Sequence, residues 1–237
     1  MAETDLPIEY ANATACLTKN TRDAVEFARG PEGERLARAF TKTTCWCSAL
    51  LEQYADNPAS IHIAGAWSEV VNILALAPFA FYRQSLISMR ILLEDVLAFS
   101  YYQSHPVEFA TSCTDPDYWI SKKKMLEFHQ RHTWKGKIDV ERLGIVADFN
   151  RLYSTLSQVI HAQSTANVSI AQSFESFSYD TNQVDRVCSI AENTDDAVSV
   201  FLSSVFWGLF PEFPPESQKI IIGGWPSTKV RGLQLRP

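Results

Sequence analysis

Glycine-rich phosphate cradles are missing from this chain. It has 9 glycines in 237 residues, four of them in the last 30, and neither GxGxxG nor GxxxxGK[ST] occurs. That excludes a Rossmann dehydrogenase and a P-loop NTPase. Charge is also scarce. Charged residues make up 20% of the chain, below the roughly 25% usual for soluble domains, so more surface than usual is buried. The formal net charge of -6 gives no global field that recruits nucleic acid. The five cysteines (Cys16, Cys45, Cys47, Cys113, Cys188) form no CxxC pair. Cys45-Trp-Cys47 lacks a second ligand pair, which predicts reduced, mostly buried thiols, no metal and no cofactor. The uncharged apolar runs Val70–Tyr82 and Ala197–Pro211 hold 13 and 15 residues, short of the roughly 20 that span a bilayer. The longer uncharged run Leu152–Phe174 is too rich in Ser, Thr, Gln and Asn to enter one. The start, MAETDLPIEY, has no apolar core of a secretory signal. A cytoplasmic protein with no membrane partner is the expectation.

What the chain does have is helical spacing, with no convincing strand alternation. The pattern predicts helices over Glu9–Ala28, from Pro31 to before Asp56, Ser60–Ala77, Phe79–Ser104, Pro106–Ser112, Pro116–His132, Val140–Ser164 and Asn182–Leu209. Asp115 is placed to cap the sixth of these, with Pro116 at its first position, and Asp139 to cap the seventh. The tail Pro211–Pro237, with five prolines and three glycines, predicts an extended arm or strand at Ile220–Ile222, packing back or contacting a partner. The fold class is therefore all-α, a bundle of six to eight helices in one domain, 1–210, with a C-terminal extended tail at 211–237.

Two helices carry polar residues beside their apolar stripes. On Phe79–Ser104, the residues Leu86, Met89, Leu93, Val96 and Ser100 share one face. Arg83, Arg90, Glu94 and Tyr101 line up beside it. Such a helix is central, and its charges need partners. Two readings follow: an Arg90–Glu94 pair that ties helices together, or the wall of a pocket for an anion, which the planar guanidinium fork suits. On Val140–Ser164, the residues Asn150, Tyr153, Ser157, His161 and Ser164 edge the stripe of Phe149, Leu152, Leu156, Val159 and Ile160. Tyr153, Ser157 and His161 stack at i, i+4, i+8, where His161 can move a proton near neutral pH or simply pack. His129 and His132 stand at i, i+3 and read as solvated surface, short of the ligands zinc needs.

The bases are clustered. Lys122, Lys123, Lys124, Arg131, Lys135, Lys137 and Arg142 put seven of the 21 bases into 21 residues, against Glu127, Asp139 and Glu141. Trp119 flanks the block and Phe128 and Trp134 lie within it. Aromatic and basic side chains together hold unpaired nucleotides by stacking and phosphate contact; the other reading is a lysine-coated helix beside a loop. Glu192, Asp195 and Asp196 form an acidic patch able to meet a basic partner or the chain's own basic face.

Two segments resemble a known class. Tyr82–Phe109, YRQSLISMRILLEDVLAFSYYQSHPVEF, is similar to the "YR.al..lR.lLE..l...y...HP.eF" run of uncharacterised bacterial helical proteins. Arg151–Ser164, RLYSTLSQVIHAQS, resembles the "Y..LS...H" helix that follows it there. The arrangement resembles the HEPN-like helical bundles of prokaryotic toxins and anti-phage systems. The resemblance covers under a fifth of the chain. It implies an all-α bundle, frequent dimerisation and, in some members, metal-independent RNA cleavage. The signature Arg followed after four to six residues by His is absent, since nine residues separate Arg151 from His161. A site of this kind then requires Arg90 on one helix to meet His161 on another. Glu94 would orient Arg90, Ser157 or Tyr153 would add a hydrogen bond, and His161 would act as base on a ribose 2′-hydroxyl. The expected function is RNA binding or cleavage by a homodimer or partnered effector; the alternative is a non-catalytic helical module that binds a protein or nucleotide ligand within a larger complex.

Overall fold

A computed structural model describes residues 6–160 and 179–233. Among the described residues there is no strand, and eleven α-helices follow one another along the chain. They are α1 (Leu6–Arg29), α2 (Pro31–Arg38), α3 (Thr41–Gln53), α4 (Ser60–Leu76), α5 (Tyr82–Tyr102) and α6 (Pro106–Thr114), then α7 (Lys122–Phe128), α8 (Ile145–Ile160), α9 (Thr181–Val205), α10 (Pro215–Ile222) and α11 (Ser227–Gly232). The all-α class holds, with more and shorter helices than the periodicity predicts. The expected helix after Pro31 breaks at Ala39–Phe40 into α2 and α3. Asp115 ends α6 rather than starting a helix. The next helix begins at Lys122 under Ser121, whose hydroxyl accepts from the Lys124 amide at 3.2 Å.

The α5 helix is the centre of the bundle, because α4, α7, α8 and α9 all pack on it. Met89, Leu92, Leu93, Val96 and Phe99 are fully buried along its length. Its closest neighbour is α4, antiparallel to it. A Cβ on Gly65 would lie 2.7 Å from Asp95 Oδ2, so a larger residue here would displace the Asp95 carboxylate. His62 Nδ1 donates to Asp95 Oδ1 at 3.0 Å across the same seam, and the His62 ring stacks on Tyr102. The turn between α4 and α5 places Ala80 in the left-handed region, φ 60, which stops the first helix and redirects the chain.

The α9 helix runs parallel to α3: Asp195 receives the Thr43 amide at one end, and the Tyr54 and Phe206 rings meet at the other. The acidic patch on α9 is consumed inside the molecule. Glu192 and Asp185 clamp Arg35 of α2, while Asp196 holds Lys42 of α3 and Lys229 of α11. The indole of Trp225 also donates to Asp196. These contacts bring the C-terminal segment onto the bundle as helices: Ile220–Ile222 close α10, and Ile221 is buried. The extended tail is thus corrected. An i, i+4 pattern is weak in eight residues that begin with a proline, and tertiary burial decides the outcome.

Candidate functional site

The two polar edges read from the sequence meet at the α5–α8 seam. Tyr153 of α8 receives the Arg90 Nη2 hydrogen bond at 2.7 Å and donates its hydroxyl to Glu94 Oε1 at 2.8 Å. Arg90 and Glu94 are themselves 3.0 Å apart, one turn from each other on α5. A third helix completes the group. Lys122, first residue of α7, donates to Asn150 Oδ1 at 2.7 Å and lies 4.1 Å from the centre of the Tyr153 ring. The Arg90 guanidinium lies 4.7 Å from that same ring centre. One phenol therefore carries two cations, an arrangement in which the ring's negative face offsets part of the repulsion.

The charges in this cluster do not cancel. Among the described residues, the one carboxylate paired with this group is Glu94, half exposed and held by Arg90, while Lys122 is held by Asn150 and the Tyr153 ring. Burial, and then the Arg90 charge, push the Lys122 ammonium below its ordinary pKa. Arg90 Nε is buried with no hydrogen-bond partner among the described residues. Burying that donor unmatched costs stability, so helix packing alone is a poor reason to keep it there. Lys123 and Lys124 extend the positive face outward and are largely exposed, with only long contacts of 3.9 Å to Glu127 and 4.0 Å to Glu108. All three lysines sit in the first turn of α7, where the helix end is already positive, so their placement opposes helix stability. Arg131, beyond the end of α7, projects to solvent 3.8 Å from Glu127.

Other expected members lie elsewhere. Arg83 is half-buried two turns earlier on the same line of α5. Tyr101 points away from the cluster: it is buried, stacks on His105, and donates to Glu108 at 2.5 Å. Burial, and then that bond, push its phenol above the ordinary range. Ser157 Oγ donates to the Tyr153 carbonyl at 2.6 Å, so its proton is spent within the helix. His161 and Ser164 lie outside the described residues.

Two readings of the basic block need correction. Trp134, expected to stack bases, is 1% exposed. Its indole donates to Ser204 Oγ at 3.0 Å and its ring packs on His129 and Phe201. A helical turn that closes through the Trp134 amide to the His129 carbonyl folds it inward. His129, expected on the surface, is also buried. Ser100 Oγ gives its proton to Leu97, so His129 Nε2–H donates to Ser100 and Nδ1 accepts from Thr133. That neutral tautomer suits the pKa, which burial lowers to about 4. Trp119, by contrast, is 75% exposed, three residues before Lys122.

Sequence reasoning missed the Lys122–Tyr153 contact and the burial of Asp195. The first joins residues 31 apart in the chain, for which helical spacing carries no signal. The second was visible. Asp195 falls on the stripe of Val184, Cys188, Ala191, Val198 and Leu202, all buried on α9.

The cluster is a positively charged polar patch on an otherwise apolar seam, with a planar guanidinium and an ammonium able to share one anion. Glu94 competes with such an anion for the Arg90 guanidinium, at 3.0 Å. Glu94→Gln keeps an acceptor for Tyr153 and removes the competing charge, so it should strengthen binding of a phosphate-bearing ligand about threefold or more at low salt. Titration of both proteins with inorganic phosphate and with labelled RNA checks this; weaker binding by the variant contradicts the assignment. No family model matches the chain, and no curated protein and no solved structure is detectably similar to it.

Proposed function

We propose that the protein binds single-stranded RNA at the Arg90–Lys122–Tyr153 cluster, as a HEPN-like effector whose cleavage chemistry needs no metal. The observation that carries this reading is the pair of cations held on one tyrosine ring, with one half-exposed carboxylate, Glu94, paired to Arg90 among the described residues. A phosphodiester supplies the missing negative charge, and Arg90 offers it a planar fork. Lys123, Lys124 and Arg131 extend the track for neighbouring phosphates. The exposed Trp119 ring provides a face for an unpaired base.

In this reading His161 takes the ribose 2′-proton, the 2′-oxygen attacks phosphorus to form a 2′,3′-cyclic phosphate, and the 5′-oxygen leaves as a hydroxyl with a proton from water, while Arg90 stabilises the charge on the phosphate. The test is incubation of the full chain with mixed RNAs in EDTA, wild type against His161→Ala. Cleavage that His161→Ala abolishes supports the catalytic reading. RNA bound but left intact by both proteins reduces the function to binding, and absence of both binding and cleavage sinks the proposal.

A second reading, a helical interaction module within a larger assembly, draws support from the exposed side of α4. Its apolar surface is separate from the cluster and is compatible with RNA binding.

A further inference from the structure

The side chains that meet where α5, α7 and α8 join differ in the protons they can release. Arg90 releases none, because a guanidinium stays charged at any working pH. Tyr153 gives its hydroxyl proton to Glu94 Oε1 at 2.8 Å, and burial is the largest influence holding its phenol above the ordinary range. Asn150 accepts through Oδ1, and its amide protons do not ionise. Lys122 is different. Its ammonium is half-buried and rests on neutral groups, Asn150 Oδ1 at 2.7 Å and the Tyr153 ring, 4.1 Å from the ring centre. No carboxylate pairs with it among the described residues. An ion pair would hold the ammonium proton in place, whereas burial and then the Arg90 charge both loosen it.

An alkoxide is a poor leaving group, so the 5′-oxygen has to gain a proton as its bond to phosphorus breaks. We infer that Lys122 is the general acid that hands over this proton, drawn in the end from water; the inference rests on the RNA-cleavage reading above. The Arg90 guanidinium and Lys122 Nζ lie 4.7 and 4.1 Å from one ring centre. Two charge-assisted hydrogen bonds of about 2.8 Å, with the edge of a phosphate between them, bridge such a pair. Arg90 then holds the non-bridging oxygens, and Lys122 Nζ meets the 5′-oxygen. In the step the bond from the 2′-oxygen to phosphorus forms and the bond from phosphorus to the 5′-oxygen breaks. One N–H proton of Lys122 passes to that oxygen, which leaves as a hydroxyl. Lys122 is left as a neutral amine, still able to donate to Asn150 Oδ1, and takes a proton back from water before the next turnover. Arg90 keeps its charge throughout and stays on the cyclic phosphate, so the two cations divide the work: one holds charge and the other moves a proton.

The test uses the full chain in EDTA with a mixed-sequence single strand that carries one ribose, beside the same strand with sulfur in place of the 5′-oxygen at that linkage. A thiol, with a pKa of about 8.5, leaves as its anion and needs no acid. Lys122→Arg keeps a positive charge but has no proton to give. It should bind the uncleavable all-deoxy strand within about threefold of wild type, since the phosphate contact survives. It should cleave the oxygen substrate about a hundredfold or more slower than wild type, the usual worth of a general acid, and the sulfur substrate within about threefold of it. Lys122→Gln, which retains an amide donor for Asn150, should show the same contrast between substrates, and it decides the matter if circular dichroism shows that Lys122→Arg fails to fold. Equal losses on the two substrates, or wild-type cleavage of the oxygen substrate by either folded variant, overturn the general-acid role and leave the cleavage reading standing. A wild type that cleaves neither substrate overturns that reading, and this inference with it.

Discussion

Trp134→Ala should lower stability by about 3–5 kcal/mol, while Trp119→Ala should leave it unchanged and weaken RNA binding instead. The two tryptophans bracket the same basic segment, and their environments separate their roles. Trp134 is buried against His129 and Phe201, with its indole nitrogen satisfied by Ser204. Truncation leaves a cavity the size of a bicyclic ring and removes the bond Ser204 accepts, although that hydroxyl still donates to the Phe201 carbonyl at 2.6 Å. Trp119 is 75% exposed. Its removal empties no core space, so only an interaction with something outside the fold can be lost. A stacked base is worth about 1–3 kcal/mol by such a substitution, a loss of roughly fivefold or more in affinity. Thermal or urea unfolding of the two variants, beside RNA titration of Trp119→Ala, checks the pair. Equal stability of Trp134→Ala and wild type would contradict the placement of that ring.

Replacing Asp195 by Asn should stabilise the protein at pH 7.5 and change the shape of its pH profile. Asp195 is 5% exposed, and burial raises its pKa to about 6 against the bonds and charge from Thr43 and Lys42 that lower it. An acid with a raised folded pKa favours the folded state most below its unfolded value of about 3.9, and that contribution is lost as pH rises through about 6. The full shift corresponds to about 3 kcal/mol of lost stability at neutral pH. Asn keeps an acceptor for the Thr43 amide, bonded at 2.7 Å, but its amide group needs a partner of its own. The net gain is therefore about 1–2 kcal/mol, or a few degrees in Tm. His129 has the opposite sign. Its contribution is complete above about 6.5 and is lost as pH falls through about 4. Between about pH 4 and 6 the two groups offset one another in wild type. Asp195→Asn removes one of them, so the variant should lose stability more steeply on acidification. Chemical unfolding at pH 4.5, 6 and 7.5 measures this. A variant that is less stable at pH 7.5, or whose profile parallels wild type, contradicts the assignment.

The fold was most legible where periodicity ran long. The stripe Leu86, Met89, Leu93, Val96, Ser100 and the inference that this helix is central both hold in α5. Reading failed where short segments take their conformation from contacts. Pro116–His132 reads as one helix, yet Ser121 starts it late and a widened, π-type turn over His129–Thr133 folds Trp134 inward. The polar edges of α5 and α8 were visible as edges, and Arg90, Glu94 and Tyr153 do meet. That Lys122 joins them, and that Tyr101 does not, depends on how α7 lies across α5 and α8. No spacing within one helix encodes that.

The most direct test of the cation cluster is anisotropy of a labelled single-stranded RNA, titrated at two salt concentrations in EDTA. Arg90→Ala leaves the Tyr153–Glu94 hydrogen bond in place, so the fold should survive, as circular dichroism can verify. RNA affinity should fall at least tenfold, the dependence on salt should weaken by about one phosphate contact, and a matched duplex should bind less well than the single strand. Unchanged affinity in Arg90→Ala, or a wild type that binds no RNA at low salt, contradicts the account.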